Sequence, residues 1–113
     1  MNSSVAGSWV VSLLILFSAA NVHAADTATG FLDKTVSVGD ATARYALYVP
    51  DNYDPAKVWP LIVFLHGKGE QGDDNLKQTE VGIGRAIRMN RDWFPALVLM
   101  PQCPKGRFWD AAI

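Results

Sequence analysis

The sequence predicts an α/β protein in which an antiparallel β-hairpin leads into a strand–helix–strand unit. Two observations predict it. Residues 41–50 alternate between apolar and polar side chains, as a strand with one exposed face does. Residues 60–65 and 96–100 are apolar without alternation, which is typical of parallel strands buried on both faces under covering helices.

Residues 1–24 are expected to be a signal peptide, which leaves residues 25–113 as the folded part. An apolar run at residues 8–20 is followed by a small residue, Ala24, at a suitable cleavage position. A transmembrane helix needs about 20 mostly apolar residues, and scattered Gly, Ser, Asn and His interrupt any window of that length here. Although the segment before the apolar run lacks Lys and Arg, we expect a secreted or periplasmic protein.

The charges are nearly balanced and exclude no common soluble class. Ten Lys and Arg stand against eleven Asp and Glu, so there is no electrostatic reason to expect a nucleic-acid partner, or a membrane partner after signal cleavage. The residues form no metal-ligand cluster and imply no cofactor. Cys103 is the one cysteine of the chain, which indicates either a buried thiol or a pairing outside this sequence.

The elements follow in order along the chain. Residues 31–38 and 41–50 predict the two strands of the hairpin, joined at Gly39 and Asp40. The segment 51–59 reads as turns, and residues 95–102 predict the strand that closes a right-handed crossover. Between the buried strands, residues 75–90 predict a helix, although Gly82 and Gly84 weaken it. Its apolar positions are Leu76, Val81, Ile83 and Ile87.

Residues 66–69, His-Gly-Lys-Gly, follow the first buried strand. Loops at the carboxyl ends of parallel strands are where α/β sheets bind ligands. Glycines there let the backbone approach a ligand closely, and amide groups freed by such a turn can donate to a developing oxyanion.

Two other interpretations of this loop remain open. Gly67, Gly69 and Gly72 match the spacing of a dinucleotide-binding loop, but only weakly, and three nearby carboxylates would repel a pyrophosphate. They belong to Glu70, Asp73 and Asp74. The loop can also be a plain turn without a ligand. Asp is favoured before helices, so Asp73 and Asp74 are expected to order the loop.

Together, "RYALYVPDNYDPAKVWPLIVFLHGKGEQGDDN" and "FPALVLMPQCP" make the chain resemble the N-terminal part of an α/β-hydrolase over about residues 41–109. The nearest likeness is the secreted esterase branch related to polyhydroxyalkanoate depolymerases and phospholipase/carboxylesterases. The resemblance implies an incomplete α/β-hydrolase sheet and a small-molecule or polymeric ester substrate. In that family the loop after this strand gives one backbone donor of the oxyanion hole. Carried over, this donor is the amide of Lys68 or Gly69, while His66 and Gly67 shape the turn.

The family's catalytic residues are missing from this chain. Its serine lies in G-x-S-x-G and is followed by an acid and then a histidine, but no serine follows Ser37. Neither Cys103 nor His66 fits the family's nucleophile or base. We therefore expect the N-terminal piece of a longer hydrolase, truncated before the nucleophile and inactive alone.

Two alternatives stay open. One is a short secreted binding protein without catalysis, and the other is a fragment of a prolyl-oligopeptidase-like peptidase. Trp109 is expected either to line a substrate cleft or to pack in the ordinary way.

Overall fold

The computed structural model describes residues 27–111, so the expected signal peptide, residues 1–24, lies outside the described part. Four strands and one α-helix form the fold. The strands are β1 (Gly30–Val38), β2 (Ala41–Val49), β3 (Leu61–Val63) and β4 (Leu97–Pro101), and the helix is α1 (Ile83–Met89). Short 3₁₀ turns lie at Lys68–Glu70, Lys77–Thr79, Arg91–Trp93 and Trp109–Ala111.

The predicted hairpin is confirmed. β1 and β2 pair antiparallel in register from Gly30 opposite Val49 to Val38 opposite Ala41. Gly39 turns the chain at a φ of 59°, a left-handed conformation that glycine adopts without steric cost.

The strand–helix–strand unit is confirmed as well. The sheet order is β1-β2-β4-β3. β4 pairs antiparallel with β2 and parallel with β3, where Ile62 lies opposite Val98. The loops that leave β3 and β4 therefore begin at the same edge of the sheet.

One face of the sheet carries the core. Alternate residues of β2 and β4 point to α1, whose Ile87 is fully buried against them. The buried cluster consists of Ala46, Tyr48, Ile87, Val98 and Met100. Partly buried aromatic rings of Phe31, Phe64 and Phe94 pack around it.

The prediction that residues 60–65 and 96–100 are buried on both faces is wrong for the described residues. Leu61 and Val63 are 58% and 56% exposed, and in β4 only alternate residues are buried. The cause is topological. β3 is the edge strand of the sheet, and no helix within residues 27–111 covers its outer side.

The predicted helix over residues 75–90 is also shorter than expected. A 3₁₀ turn at Lys77–Thr79 comes first, and α1 starts only at Ile83. The backbone at Gly82 is not helical, because its φ is 52° and its ψ is −121°. Residues with a side chain rarely adopt this conformation. No helix in the described part of the chain is long and apolar enough to cross a membrane.

Gly84 lets α1 approach the preceding 3₁₀ turn. A methyl group at this position would lie 2.0 Å from the Thr79 carbonyl oxygen. Gly84→Ala is therefore expected to lower the free energy of unfolding by about 3 kcal/mol, although alanine normally stabilises a helix. Chemical denaturation of the full natural protein measures this. Gly69→Ala is the matched control, because nothing lies within 4 Å of its added methyl group; equal stability of the two variants would contradict the prediction.

Candidate functional site

His66 lies three residues beyond β3 and is buried at 4% exposure. Its Nε2 accepts a hydrogen bond from the Cys103 amide at 2.9 Å, and its Nδ1 lies 2.6 Å from the Gly67 carbonyl oxygen. A nitrogen that accepts from an amide carries no proton, and one facing a carbonyl must donate. The contacts therefore assign the neutral ring with its proton on Nδ1.

Cys103 lies two residues beyond β4 and connects the two loops through its backbone. Its amide binds His66, and its carbonyl oxygen accepts from the Gly72 amide at 3.1 Å. The thiol is buried, with Sγ 3.7 Å from the Pro104 oxygen. Because both ring nitrogens of His66 are engaged with backbone groups, His66 has no free lone pair with which to deprotonate this thiol.

The amides of Lys68 and Gly69 are open. They begin the 3₁₀ turn, whose later amides at Glu70 and Gln71 donate back to the Gly67 and Lys68 oxygens at 3.3 and 3.4 Å. Within residues 27–111 the Lys68 and Gly69 amides donate to no group, as expected for the first amides of a helical turn. The structure thus places two N–H donors side by side at the end of a parallel strand.

Gly67 and Gly69 differ in their surroundings. A methyl group at Gly67 would lie 3.3 Å from Oε2 of Glu70, whereas one at Gly69 would meet nothing within 4 Å. A side chain at Gly67 would thus meet only the flexible end of Glu70, whereas Gly69 borders open space.

Buried amide side chains hold the far side of this loop. Asn75 has a φ of 54°, and its Nδ2 donates to the Tyr45 oxygen and to Asp33 Oδ1, at 2.8 and 2.5 Å. Its own amide donates to Gln102 Oε1 at 2.6 Å. The hydrogen bond from Asn75, more than any other contact, keeps the pKa of the Asp33 carboxyl below its usual value. Gln78 completes the set by donating to Asn75 Oδ1 at 2.7 Å.

Asp74 orders the segment between the loop and α1, while Asp73 lies beside it with an exposed side chain. Oδ1 of Asp74 accepts from the amides of Leu76 and Lys77 at 3.0 and 3.2 Å, and from Gln102 Nε2 at 2.8 Å. The backbone hydrogen bond from Leu76 and the one from Gln102 lower the pKa of Asp74 from 3.8 to about 2.

Two open grooves border the loop, and both are lined by Lys68 and Gln71. The first, here named the lysine groove, is lined by Lys68, Gly69, Gln71, Asp73, Lys77 and Lys105. The second, the aromatic groove, is lined by His66, Gly67, Lys68, Gln71, Cys103, Arg107, Phe108 and Trp109. Lys68 therefore lies between a surface lined by lysines and one that carries aromatic rings, and Gly69 borders the first of them.

Trp109 both packs and lines a groove. Its Nε1 donates to the His66 oxygen at 3.0 Å, and its ring meets the imidazole edge-on with 4.8 Å between centroids. Its remaining surface faces the aromatic groove beside Phe108, which is 70% exposed.

The loop does not have the form of a dinucleotide-binding loop. The Gly72 amide already donates to Cys103, and the first α-helix after the loop begins only at Ile83. Such loops need a helix directly behind them. The described residues also hold no cluster of three or more His, Cys, Asp or Glu suited to a metal ion.

Sequence reasoning missed the amide side chains that hold the loop. Asn75, Gln78 and Gln102 are all buried, yet the predicted helix over residues 75–90 and the predicted strand over residues 95–102 assign the core to their apolar residues alone. One signal was available, because Gln102 directly follows an apolar strand and lies between two prolines.

The chain was compared with family models, with curated proteins and with solved structures. No protein-family model matches the chain, and no curated protein matches it. Among solved structures the chain is similar to one described as "Crystal Structure of a Thermostable Esterase", with 32% sequence identity and a TM-score of 0.53 over 70% of this chain. The chain spans only 22% of that protein. The described residues thus have an esterase-like α/β fold.

His66→Ala is expected to lower the free energy of unfolding by about 2–3 kcal/mol, because it leaves the buried Cys103 amide without an acceptor. His66→Gln is the matched variant, since its side-chain oxygen can replace Nε2 as that acceptor and should recover part of the loss. Chemical denaturation of the full protein measures both. Unchanged stability in His66→Ala would show that the imidazole does not hold the loop.

The pKa of Asp74 makes stability depend on pH in the acid range. Because folding lowers this pKa from 3.8 to about 2, the carboxylate stabilises the fold fully above pH 3.8 and loses that effect as the pH falls towards 2. Melting temperatures of the wild type and Asp74→Asn should therefore differ above about pH 4 and converge near pH 2. Asp40→Asn, in the hairpin turn and away from the loop, is the control for removing an exposed carboxylate. A constant difference between wild type and Asp74→Asn down to pH 2 would contradict this assignment.

Proposed function

We propose that this chain is the N-terminal part of an exported serine hydrolase that acts on carboxylic esters, and that its His66–Gly69 loop supplies the oxyanion donors. One observation carries the proposal. The free amides of Lys68 and Gly69 lie together at the carboxyl end of β3, in a chain 32% identical to a thermostable esterase over the matched region.

Ester hydrolysis by a serine enzyme needs such donors when negative charge develops on the carbonyl oxygen. When a serine attacks the ester carbonyl, the carbonyl oxygen takes up negative charge, and the alcohol then leaves an acyl-enzyme that water hydrolyses. Amides fixed in advance stabilise that oxygen without reorganising, which is worth about 3–4 kcal/mol for each donor. The amides of Lys68 and Gly69 take this role, while the serine, its acid and its histidine come from outside this sequence.

The exposed edge of the sheet supports a longer parent protein. β3 presents Leu61, Ile62 and Val63 to solvent within the described residues, and an uncovered apolar edge strand invites aggregation. Further strands and helices of the same polypeptide would cover it. Export follows in this proposal from cleavage of residues 1–24, and the working protein acts outside the cytoplasm on a small-molecule or polymeric ester, with no role for nucleic acid or membrane.

The natural protein from its source cells tests the proposal directly. A fluorophosphonate probe, which reacts with activated serines, should label it, and its intact mass should exceed that of residues 25–113. A mass equal to residues 25–113 together with no labelling would overturn the hydrolase proposal. That outcome would favour a short binding protein in its place.

Gly69→Ala separates the role of the loop in catalysis from its role in folding. Its methyl group meets no protein atom within 4 Å, but it projects into the space beside the donors. We expect kcat/KM for a neutral ester to fall by about 100-fold, with the unfolding midpoint unchanged.

Lys68→Ala is the paired variant for that measurement. It removes a side chain and keeps the amide, so kcat/KM for the neutral ester should change by less than about threefold, as for an exposed side chain without contacts. Full activity in Gly69→Ala would show that the donors lie elsewhere.

A further inference from the structure

The lysine groove carries local positive charge next to the open amides. Three lysines and one aspartate line it, although acidic residues outnumber basic ones by one in the whole chain. A groove lined mainly by one sign of charge attracts ligands of the opposite sign.

Two of these lysines are available to a ligand. Lys77 has its Nζ 3.6 Å from Asp74 Oδ2, whereas Lys68 and Lys105 form no ion pair with any residue from 27 to 111. The remaining charge in the lining, the carboxylate of Asp73, leaves an excess of ammonium groups.

Lys105 is held at the groove by its backbone. The turn that carries it closes with a hydrogen bond from the Arg107 amide to the Pro104 oxygen at 3.1 Å. Gln71 fastens this turn to the His66–Gly69 loop. Its Oε1 accepts from the Gly106 amide at 3.3 Å, and its Nε2 donates to the Arg107 oxygen at 2.5 Å.

The opposite side of the loop presents two aromatic rings beside the Arg107 side chain. Phe108 and Trp109 line the aromatic groove, and Lys68 and Gln71 separate the two grooves. A substrate whose carbonyl oxygen meets the amides of Lys68 and Gly69 therefore has two different surfaces beside it.

We propose that the lysine groove binds a carboxylate of the substrate, so that the preferred ester carries an anionic group on one side of its scissile carbonyl and an apolar group on the other. This inference rests on the proposed esterase function. Because the lysines are exposed, each contributes a modest factor, roughly twofold to fivefold in kcat/KM at low salt.

Matched esters test the inference on the full natural protein. The pair is 4-nitrophenyl hydrogen glutarate, which carries a free carboxylate, and its neutral methyl ester. The ratio of kcat/KM for the anionic to the neutral ester should fall about threefold in Lys105→Gln, and added salt should lower it in the wild type. Lys34→Gln, on the exposed part of β1, is the control and should keep the wild-type ratio. An unchanged ratio in Lys105→Gln would overturn the inference while leaving the esterase function intact.

A binding measurement keeps the two proposals separate. Glutarate is titrated into the isotope-labelled full protein against its neutral analogue glutaramide, and the amide resonances of Lys68, Gly69 and Lys105 are followed by NMR. Shifts with glutarate alone support the carboxylate site even if neither ester is hydrolysed, a result that would overturn only the esterase function. Equal responses to the two compounds would overturn the carboxylate site.

Discussion

The hydrogen bond from the Cys103 amide to Nε2 of His66 joins the loop after β3 to the chain after β4, and the geometry of the site depends on it. The parallel pairing of β3 and β4 brings these two segments together, but pairing alone leaves the loop free to turn in several ways. The imidazole selects one of them, because its second nitrogen binds the carbonyl of Gly67 in the turn itself. With the ring fixed, the amides of Lys68 and Gly69 have no partner among the described residues, and both residues line the lysine groove.

Burial makes this arrangement rigid. His66, Asn75 and Gln102 are almost fully buried, and a buried polar group that loses its partner costs about 1–3 kcal/mol. Each side chain bonds backbone on a different segment, so moving the loop would break several of these bonds together. The arrangement resembles a set of fixed donors prepared before any ligand arrives, which is the condition under which backbone amides stabilise a developing charge most strongly.

The sequence predicts the hairpin and the two strands of the parallel pair because their signals are local: alternation, apolar runs and a glycine turn. It overstates the helix, because the spacing of Leu76 and Val81 suits a helix, whereas α1 begins only after Gly82. An added side chain at Gly82 would meet the Phe64 ring, and this tertiary contact leaves no local signal. It also predicts burial for β3 from composition, whereas exposure depends on which neighbours cover a strand. The sequence singles out the loop at residues 66–69 by its glycines and its place after a strand. The long-range partners of His66, Asn75 and Gln102, however, lie 27 to 42 residues away and leave no local pattern.

Hydrogen exchange at three backbone amides, followed by NMR on the full protein, tests the central claim most directly. The account predicts slow exchange at Cys103, whose amide is buried and bound to His66, and fast exchange at Lys68 and Gly69, whose amides are open. Fast exchange at Cys103, or protection of both Lys68 and Gly69 in the absence of any ligand, would contradict it.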